Sequence, residues 1–315
     1  MDRPGNGVPT LSGSAQGDPR PIDLHLHSTA SDGAYPPEEV VARAAAAGLG
    51  AIALTDHDTL DGLPTALAAG AGAGIRVIPG CEFSVAAPWG EMHLLGYFLP
   101  VGWDPLERFL AACRADRERR GAEMVEKLQQ LGLGVNLEDV LAEAQGGAMG
   151  RPHVARALVR RQAVATVQDA FDRFIGWGRP GFVEKRLPSF RTVAELVHSC
   201  GGVVSAAHLK ERGTRAMLAA LKSEGLDAVE TRHPVHDPDL RSRLTDRAQA
   251  LGLLRTGGSD WHGDSASMAP GAELGGQQVP ADWLVALERA RPRTGGAAGE
   301  LIPGAQPTTF RADSR

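Results

Sequence analysis

Short apolar runs alternate with amphipathic stretches along most of this chain, and that rhythm limits its fold more than any other feature. "IDLHLH" (22–27), "AIALTDHD" (51–58), "EMHLLGYFL" (91–99), "VVSAAHL" (203–209), "LDAVETRHP" (226–234) and "LLRTGGSDWHG" (253–263) read as strands, and "IRVIPGCEFSV" (75–85) as a strand pair. "PPEEVVARAAAAGLG" between them has the Pro and Glu of a helix start and a glycine near its end, and "DGLPTALAAGAGAG" reads as a small helix with glycine breaks. From Asp104 the rhythm changes. "DPLERFLAACRADRERRGAEMVEKLQQLG", "NLEDVLAEAQGG" and "RPHVARALVRRQ" are helical, and the alternation resumes with "TVAELVHSCGG". The order predicts a parallel α/β body interrupted by a helical insertion, and it leaves open whether the sheet closes into a barrel.

The strands share a second property: their C-terminal ends carry polar side chains. These are His25 and His27, Asp56 and His57, Glu82, His93, His208, and Asp260 with His262. That rim is where parallel α/β folds gather ligands and active sites. One histidine at a strand end is commonly a hydrogen-bonded structural residue. Two on alternate positions of one strand share a face, and so many strand-end groups are hard to assign to packing. Imidazole with carboxylate and no cysteine suits Mn²⁺, Fe²⁺ or Zn²⁺ in a hydrolytic site. One glutamate among histidines can bridge two cations, an arrangement that acidifies water and clamps a phosphoryl group.

Composition narrows the rest. The net charge of −5 gives no footprint for duplex DNA, and no apolar run is long enough to span a membrane. Cys81, Cys113 and Cys200 are odd in number and widely spaced, so a reducing cytoplasm is the natural compartment. Residues 1–20 and 291–315 read as flexible tails. Nothing in the sequence indicates an oligomeric state.

"DLHLHSTASDG", "ALTDHDT", "PGCEFS", "HLLGY" and "GGSDWHG", in this order, resemble the polymerase-and-histidinol-phosphatase (PHP) family of metal-dependent phosphoesterases. "GRPHVARALV" in the insertion is similar to the stand-alone branch that hydrolyses nucleotide phosphates and short RNA 5′ ends. The resemblance implies a distorted (β/α)7 barrel, formed by 21–103 and 187–290, with 104–186 inserted. It implies three divalent ions, Mn²⁺ first, with Fe²⁺ or Zn²⁺ also compatible. Carried over, His25, His27 and Asp260 would hold the first, Glu82 would bridge to a second on His93 and His208, and Asp32, His57 and His262 would hold the third. The implied activity is hydrolysis of a nucleoside 3′,5′-bisphosphate or of the 5′ end of a short oligoribonucleotide. Alternatives are a small-metabolite phosphatase, such as one for histidinol phosphate, and a non-enzymatic accessory module.

Two positions depart from the family pattern: Leu209 follows His208 where proline is usual, and Arg232 precedes His233 where an aromatic residue is usual. Arg151 and His153 open a helix whose N-terminus favours phosphate, and they are expected to bind substrate with Lys185 and His233. Arg151 and His233 are also expected to assist catalysis. Arg186 could supplement the anion site. Asp56 or Asp58 is expected to orient an imidazole. "RADRERR" reads as a solvated helix face, His198 and His236 as surface residues, and Cys81 as packing.

Overall fold

The computed structural model describes residues 20–264 and 269–292, so the two tails lie outside the described residues except at their inner ends. Seven strands stand in sequential order: β1 (Ile22–Leu26), β2 (Ala51–Leu54), β3 (Arg76–Ala87), β4 (Gly90–Tyr97), β5 (Val203–Ala206), β6 (Ala228–Arg232) and β7 (Leu254–Gly257). The sheet is not wholly parallel as expected. β4 runs against both β3 and β5, while the other neighbours are parallel. The expected strand pair at 75–85 is one continuous strand, β3, which forms a hairpin with β4. Bridges from Leu26 to Trp261 and from Ile22 to Val279 bring the segment after β7 against β1, and the sheet nearly closes into a barrel.

Helices α1 (Pro37–Ala46) and α2 (Leu63–Ala73) follow β1 and β2. The inserted helices are α3 (Asp104–Gln130), α4 (Leu137–Ala144), α5 (Arg151–Arg160) and α6 (Val167–Ala170), the last running into one π-helical turn at Phe171–Ile175. Next come α7 (Phe190–Ser199), α8 (Arg215–Ser223), α9 (Pro238–Leu251) and α10 (Ala281–Ala290). Local chemistry sets the ends: Ser189, Thr214 and Asp237 each accept a hydrogen bond from the backbone N–H three residues on. α9 stops at Gly252, whose φ of 61° suits glycine.

The strands bury both faces, which explains their near-continuous apolar sequences. Ile22, Leu24, Ala53, Ile78, Leu95 and Tyr97 fill the barrel interior with Trp283 and Leu287 of α10. Leu26, Ile52, Leu54, Phe83, Val204 and Val229 face the surrounding helices. The insertion gathers its own core from Met124, Leu128, Val140, Leu158 and Ile175. The expectation for "RADRERR" is overturned in part: Arg117 and Arg120 are buried, Arg117 against Asp58 after β2 and Arg120 against the Val183 carbonyl of the inserted segment.

Candidate metal centre

A regular β1 would put Ile22, Leu24 and Leu26 on one face and send His25 and His27 to the other with Asp23. The register is not regular. Asp23 pairs with Ile52 and Leu26 with Leu54, so Leu24 and His25 together oppose Ala53. This bulge reverses the alternation: Leu26 joins Leu54 in the outer core while His25 and His27 turn inward. A second bulge lies in β6. Glu230 pairs with Thr256 and Arg232 with Gly257, leaving Thr231 as the extra residue. Arg232 therefore turns away from the site, onto the Gln278 carbonyl and over Trp283, while His233 turns towards Asp260.

The loop after β7 is stitched to β1, with Asp260 N–H donating to His25 O at 2.9 Å and His27 N–H to Trp261 O at 3.1 Å. Gly258 allows this approach, since a Cβ there would lie 2.4 Å from that of His25. Asp58, His208 and Asp260 are held at positive φ (51°, 28° and 51°), local strain concentrated at the mouth.

All nine expected ligand residues converge on one volume. Glu82, 1 % exposed, is its hub. Its Oε2 lies 3.2 Å from His25 Nε2, 3.2 Å from His27 Nε2 and 3.1 Å from His57 Nδ1. Its Oε1 lies 2.8 Å from His93 Nδ1 and 2.9 Å from His208 Nε2. Asp260 Oδ1 is 3.3 and 3.1 Å from the same Nε2 atoms of His25 and His27, and Asp32 Oδ1 is 3.2 Å from His262 Nε2. The groupings differ in detail from those expected. His57 clusters both with Glu82 and His93 and with Asp32, His262 and His27, and His25, Glu230 and His233 form a further cluster. His208 reaches the site through Glu82.

These distances fit donors around cations. Two donors on one tetrahedral ion at 2.0–2.2 Å stand roughly 3.3–3.6 Å apart. Seven of the eleven buried side-chain N and O atoms that lack a hydrogen-bond partner among the described residues are here: His25 Nε2, both His27 nitrogens, Asp32 Oδ1, His57 Nδ1, Glu82 Oε2 and His93 Nδ1. So many buried polar atoms left unpaired would be costly unless something else satisfied them. Burial opposes ionisation of Glu82 but is outweighed by His57, His93 and His25, which hold its carboxyl well below the usual range. Burial likewise opposes charging His27, yet Asp260 and Glu82 raise it to about 10. Cations bound here would compete with protons for these donors.

Other groups fix which nitrogen faces inward. His25 Nδ1 is 3.1 Å from Glu230 Oε1, and Glu230 Oε2 accepts the His208 N–H at 2.8 Å. His93 Nε2 lies 3.3 Å from Glu91 Oε1, and His262 Nδ1 lies 2.9 Å from the Asp260 carbonyl. Each contact leaves the opposite nitrogen for the shared volume, the role such partners play around metal-bound histidine. Sequence reasoning missed Glu230 and Glu91. Their only signal was a carboxylate in a strand otherwise suited to burial. The expectation for Asp56 and Asp58 is corrected: neither is bonded to an imidazole. Asp56 accepts from Ser28 N, Ser28 Oγ and Ser31 Oγ at 2.7, 2.7 and 2.6 Å, shaping the loop that carries Asp32. Asp58 accepts from Arg117 Nε and Nη2 of α3 at 2.9 and 2.5 Å.

A cleft of about 720 Å³ opens beside the cluster, lined by Asp32, Tyr35, His153, Arg156, His233 and His262 among others. His233 Nδ1 accepts the Val235 N–H at 3.1 Å, so its Nε2 carries the proton and faces Asp260 Oδ2 at 3.3 Å. His153 Nδ1 accepts the Gly150 N–H at 2.9 Å, and burial lowers its pKa to about 4. Arg151 does not line the cleft; its guanidinium lies 5.7 Å from the Phe171 ring and 5.8 Å from Phe182. The arginine that does is Arg156, five residues further along α5 and on another side of the helix. Lys185 is also outside it, bonded to Ser84 Oγ and paired with Glu91, and Arg186 points to solvent near Asp116. His236 is not a surface residue but is buried, accepting from Lys210 N and facing the Thr231 carbonyl. His198 is half-buried against Asp227. Leu209 fills the outer core, which accounts for an apolar residue after His208.

Known proteins match this chain along most of its length. The 5′-3′ exoribonuclease Rnm of Salmonella typhimurium is 32 % identical over 260 residues, 80 % of this chain and 87 % of that protein. The 3′,5′-nucleoside bisphosphate phosphatase of Chromobacterium violaceum is 33 % identical over 270 residues, 82 % and 90 % of the two chains. A solved structure from Bifidobacterium adolescentis, provisionally assigned as a metal-dependent phosphoesterase, superposes with a TM-score of 0.79 at 31 % identity, covering 86 % of this chain and 96 % of that one. The PHP domain profile matches residues 23–229. With its nearly closed barrel and its cluster of histidines and carboxylates, this chain belongs to the PHP domain family.

Proposed function

We propose that this protein hydrolyses phosphate esters of nucleotides, either a nucleoside 3′,5′-bisphosphate or the 5′ end of a short oligoribonucleotide. The observation that carries the reading is the convergence of eight histidines and aspartates around Glu82, with buried donor atoms left unpartnered, beside a cleft of nucleotide size. Both named relatives, an exoribonuclease and a bisphosphate phosphatase, support that substrate class. His25, His27, Asp260 and Glu82 would hold one divalent ion, Glu82, His93 and His208 a second, and Asp32, His57 and His262 a third. Mn²⁺ is the favoured metal, and Fe²⁺ or Zn²⁺ would suit the same donors. Bound there, such ions supply an activated water and neutralise charge on the phosphoryl group.

The chain's own groups do the rest. His233, with its proton on Nε2, donates to a phosphoryl or leaving oxygen from the cleft wall. Arg156 and the N-terminal turn of α5 at His153 face the same cleft and receive the remaining negative charge. Lys185 acts indirectly, by holding Glu91 against His93. The barrel segments 21–103 and 187–290 thus carry the chemistry, and the insertion 104–186 closes one side of the cleft. No helix among the described residues is long and apolar enough to cross a membrane, and cysteines without disulfides suit a reducing cytoplasm. The test is release of phosphate or mononucleotide by Mn²⁺-loaded protein from adenosine 3′,5′-bisphosphate and from a 5′-phosphorylated RNA. No product from either overturns the reading.

A further inference from the structure

We propose that a strip of aromatic and basic side chains, running from the β3–β4 turn onto the inserted segment, holds the single-stranded oligonucleotide that trails from the reacting phosphate. The inference rests on the phosphoesterase reading and narrows it towards oligonucleotides. Trp177 is 71 % exposed, more than any other large hydrophobic residue described. It is nevertheless held in place. Its ring meets Phe182 edge-on at 5.2 Å, and its Cζ3 lies 3.9 Å from where a Cβ on Gly90 would sit. The π-helical turn at Phe171–Ile175 immediately precedes it, closed by Gly176 N–H on the Phe171 carbonyl; such turns gather at functional sites.

Cations surround these rings. Arg151 lies 5.8 Å from Phe182 and 5.7 Å from Phe171, while Arg120, 5.7 Å from Phe182, is buried beneath the strip and supports the ring from below. Across the turn, Trp89 carries Arg212 at 5.3 Å. A hollow of about 140 Å³, lined by Trp89, Lys210 and Arg212, opens directly onto His93 and His208. Gly90 and His93 are three residues apart on β4, roughly 10 Å along a strand. The strip therefore starts at the metal cluster, on the side where His93 and His208 stand, whereas the large cleft is lined by Asp32 and His262.

Interleaved rings and cations are how proteins hold single strands without reading sequence: bases stack on the rings and phosphates meet the cations. The whole chain carries −5, so a basic strip is a local feature. Within this segment Arg173 pairs with Asp169 and Lys185 with Glu91, while Asp172 and Glu184 are exposed, which leaves Arg151, Arg179 and the exposed Arg186 to meet phosphate. A docking peptide or a second copy would need a continuous apolar face, and here guanidinium groups interrupt it.

The test uses Trp177→Ala and Trp177→Phe in otherwise intact protein. Binding is read by anisotropy of a 3′-labelled, 5′-phosphorylated RNA hexamer with cleavage-resistant phosphorothioate linkages. Hydrolysis of adenosine 3′,5′-bisphosphate is measured alongside. Trp177→Ala is expected to weaken RNA binding by about tenfold, with Trp177→Phe recovering most of it, and to leave kcat/KM on the bisphosphate unchanged. Equal RNA binding by wild type and Trp177→Ala overturns the proposal. So does an equal loss on RNA and bisphosphate, which would place the effect in the site itself. A wild-type dimer abolished by Trp177→Ala with RNA binding intact would overturn it too. Failure of the phosphoesterase reading is separately visible as no product from wild type, and the anisotropy result still decides the strip.

Discussion

Arg117→Met should unfold this protein more readily than any exposed arginine change, because it strands a buried carboxylate next to the candidate metal centre. Arg117 and Asp58 are 7 % and 6 % exposed, and two guanidinium nitrogens meet one carboxylate oxygen at 2.9 and 2.5 Å. Arg117 Nη1 also donates to the Met149 carbonyl at 3.2 Å, tying α3 to the approach of α5. Breaking such a buried pair from one side costs about 3–5 kcal/mol. Asp58 keeps the Ser84 N–H at 3.0 Å, and methionine restores most of the apolar stem, so the lower end, about 3 kcal/mol, is expected. In a domain of this size that lowers Tm by about 6–10 °C. The assay is thermal unfolding in chelator, which removes any contribution from bound ions. Asp58→Asn in the Arg117→Met background removes the stranded charge while keeping an acceptor for Ser84, and should recover about half the loss. A single variant as stable as wild type, or a double variant whose losses simply add, would refute the claim that these two groups neutralise one another.

Glu230→Gln keeps the shape beside His25 Nδ1 and His208 N–H but removes the charge; Mn²⁺ affinity should fall about 10- to 100-fold by metal titration, and unchanged affinity would deny the orienting role. Gly258→Ala places a Cβ 2.4 Å from that of His25, so it should cost about 1–3 kcal/mol by urea unfolding and reduce metal content in the same preparation. Half-buried His198 bonds Asp227 Oδ2 at 2.7 Å, and that bond raises its pKa despite burial. A raised folded pKa gives stability that is fully present below the unfolded value near 6.5 and is lost as pH rises through the folded value. His198→Gln should therefore cost more at pH 5.5 than at pH 9, by under about 1 kcal/mol at this partly exposed site, and a pH-independent cost would contradict it.

The residues that meet at the centre were largely legible, because each sits at the C-terminal end of an apolar run and such ends share one rim. What the sequence hid is direction and partnership. "GCEFSV" and "EMHLLGY" alternate too weakly to reveal that β4 runs backwards, since a strand buried on both faces has no wet side to mark its orientation. Arg117 and Arg120 sit in a run of charges that looks solvated by composition alone, and only their carboxylate and carbonyl partners on distant segments make burial tolerable. Arg151 and Arg156 are five residues apart on α5 and point to different sides of it, and periodicity alone cannot say which side faces the cleft.

The bulges in β1 and β6 show why the histidine pair of "IDLHLH" was readable and its side of the sheet was not. Ile22, Leu24 and Leu26 are spaced for one face, and a straight strand would satisfy them at the cost of turning His25 and His27 into the packed layer between sheet and helices. One extra residue opposite Ala53 lets Leu26 pack with Leu54 while both imidazoles reach Glu82. Thr231 does the same for His233, placing Arg232 against Trp283 instead of in the cleft. Both bulges lie within three residues of groups that touch the cluster, so the departures from ideal pairing fall where chemistry needs side chains re-aimed. Regular pairing through β2, β3 and β4 then provides the rigid frame against which that aim is held.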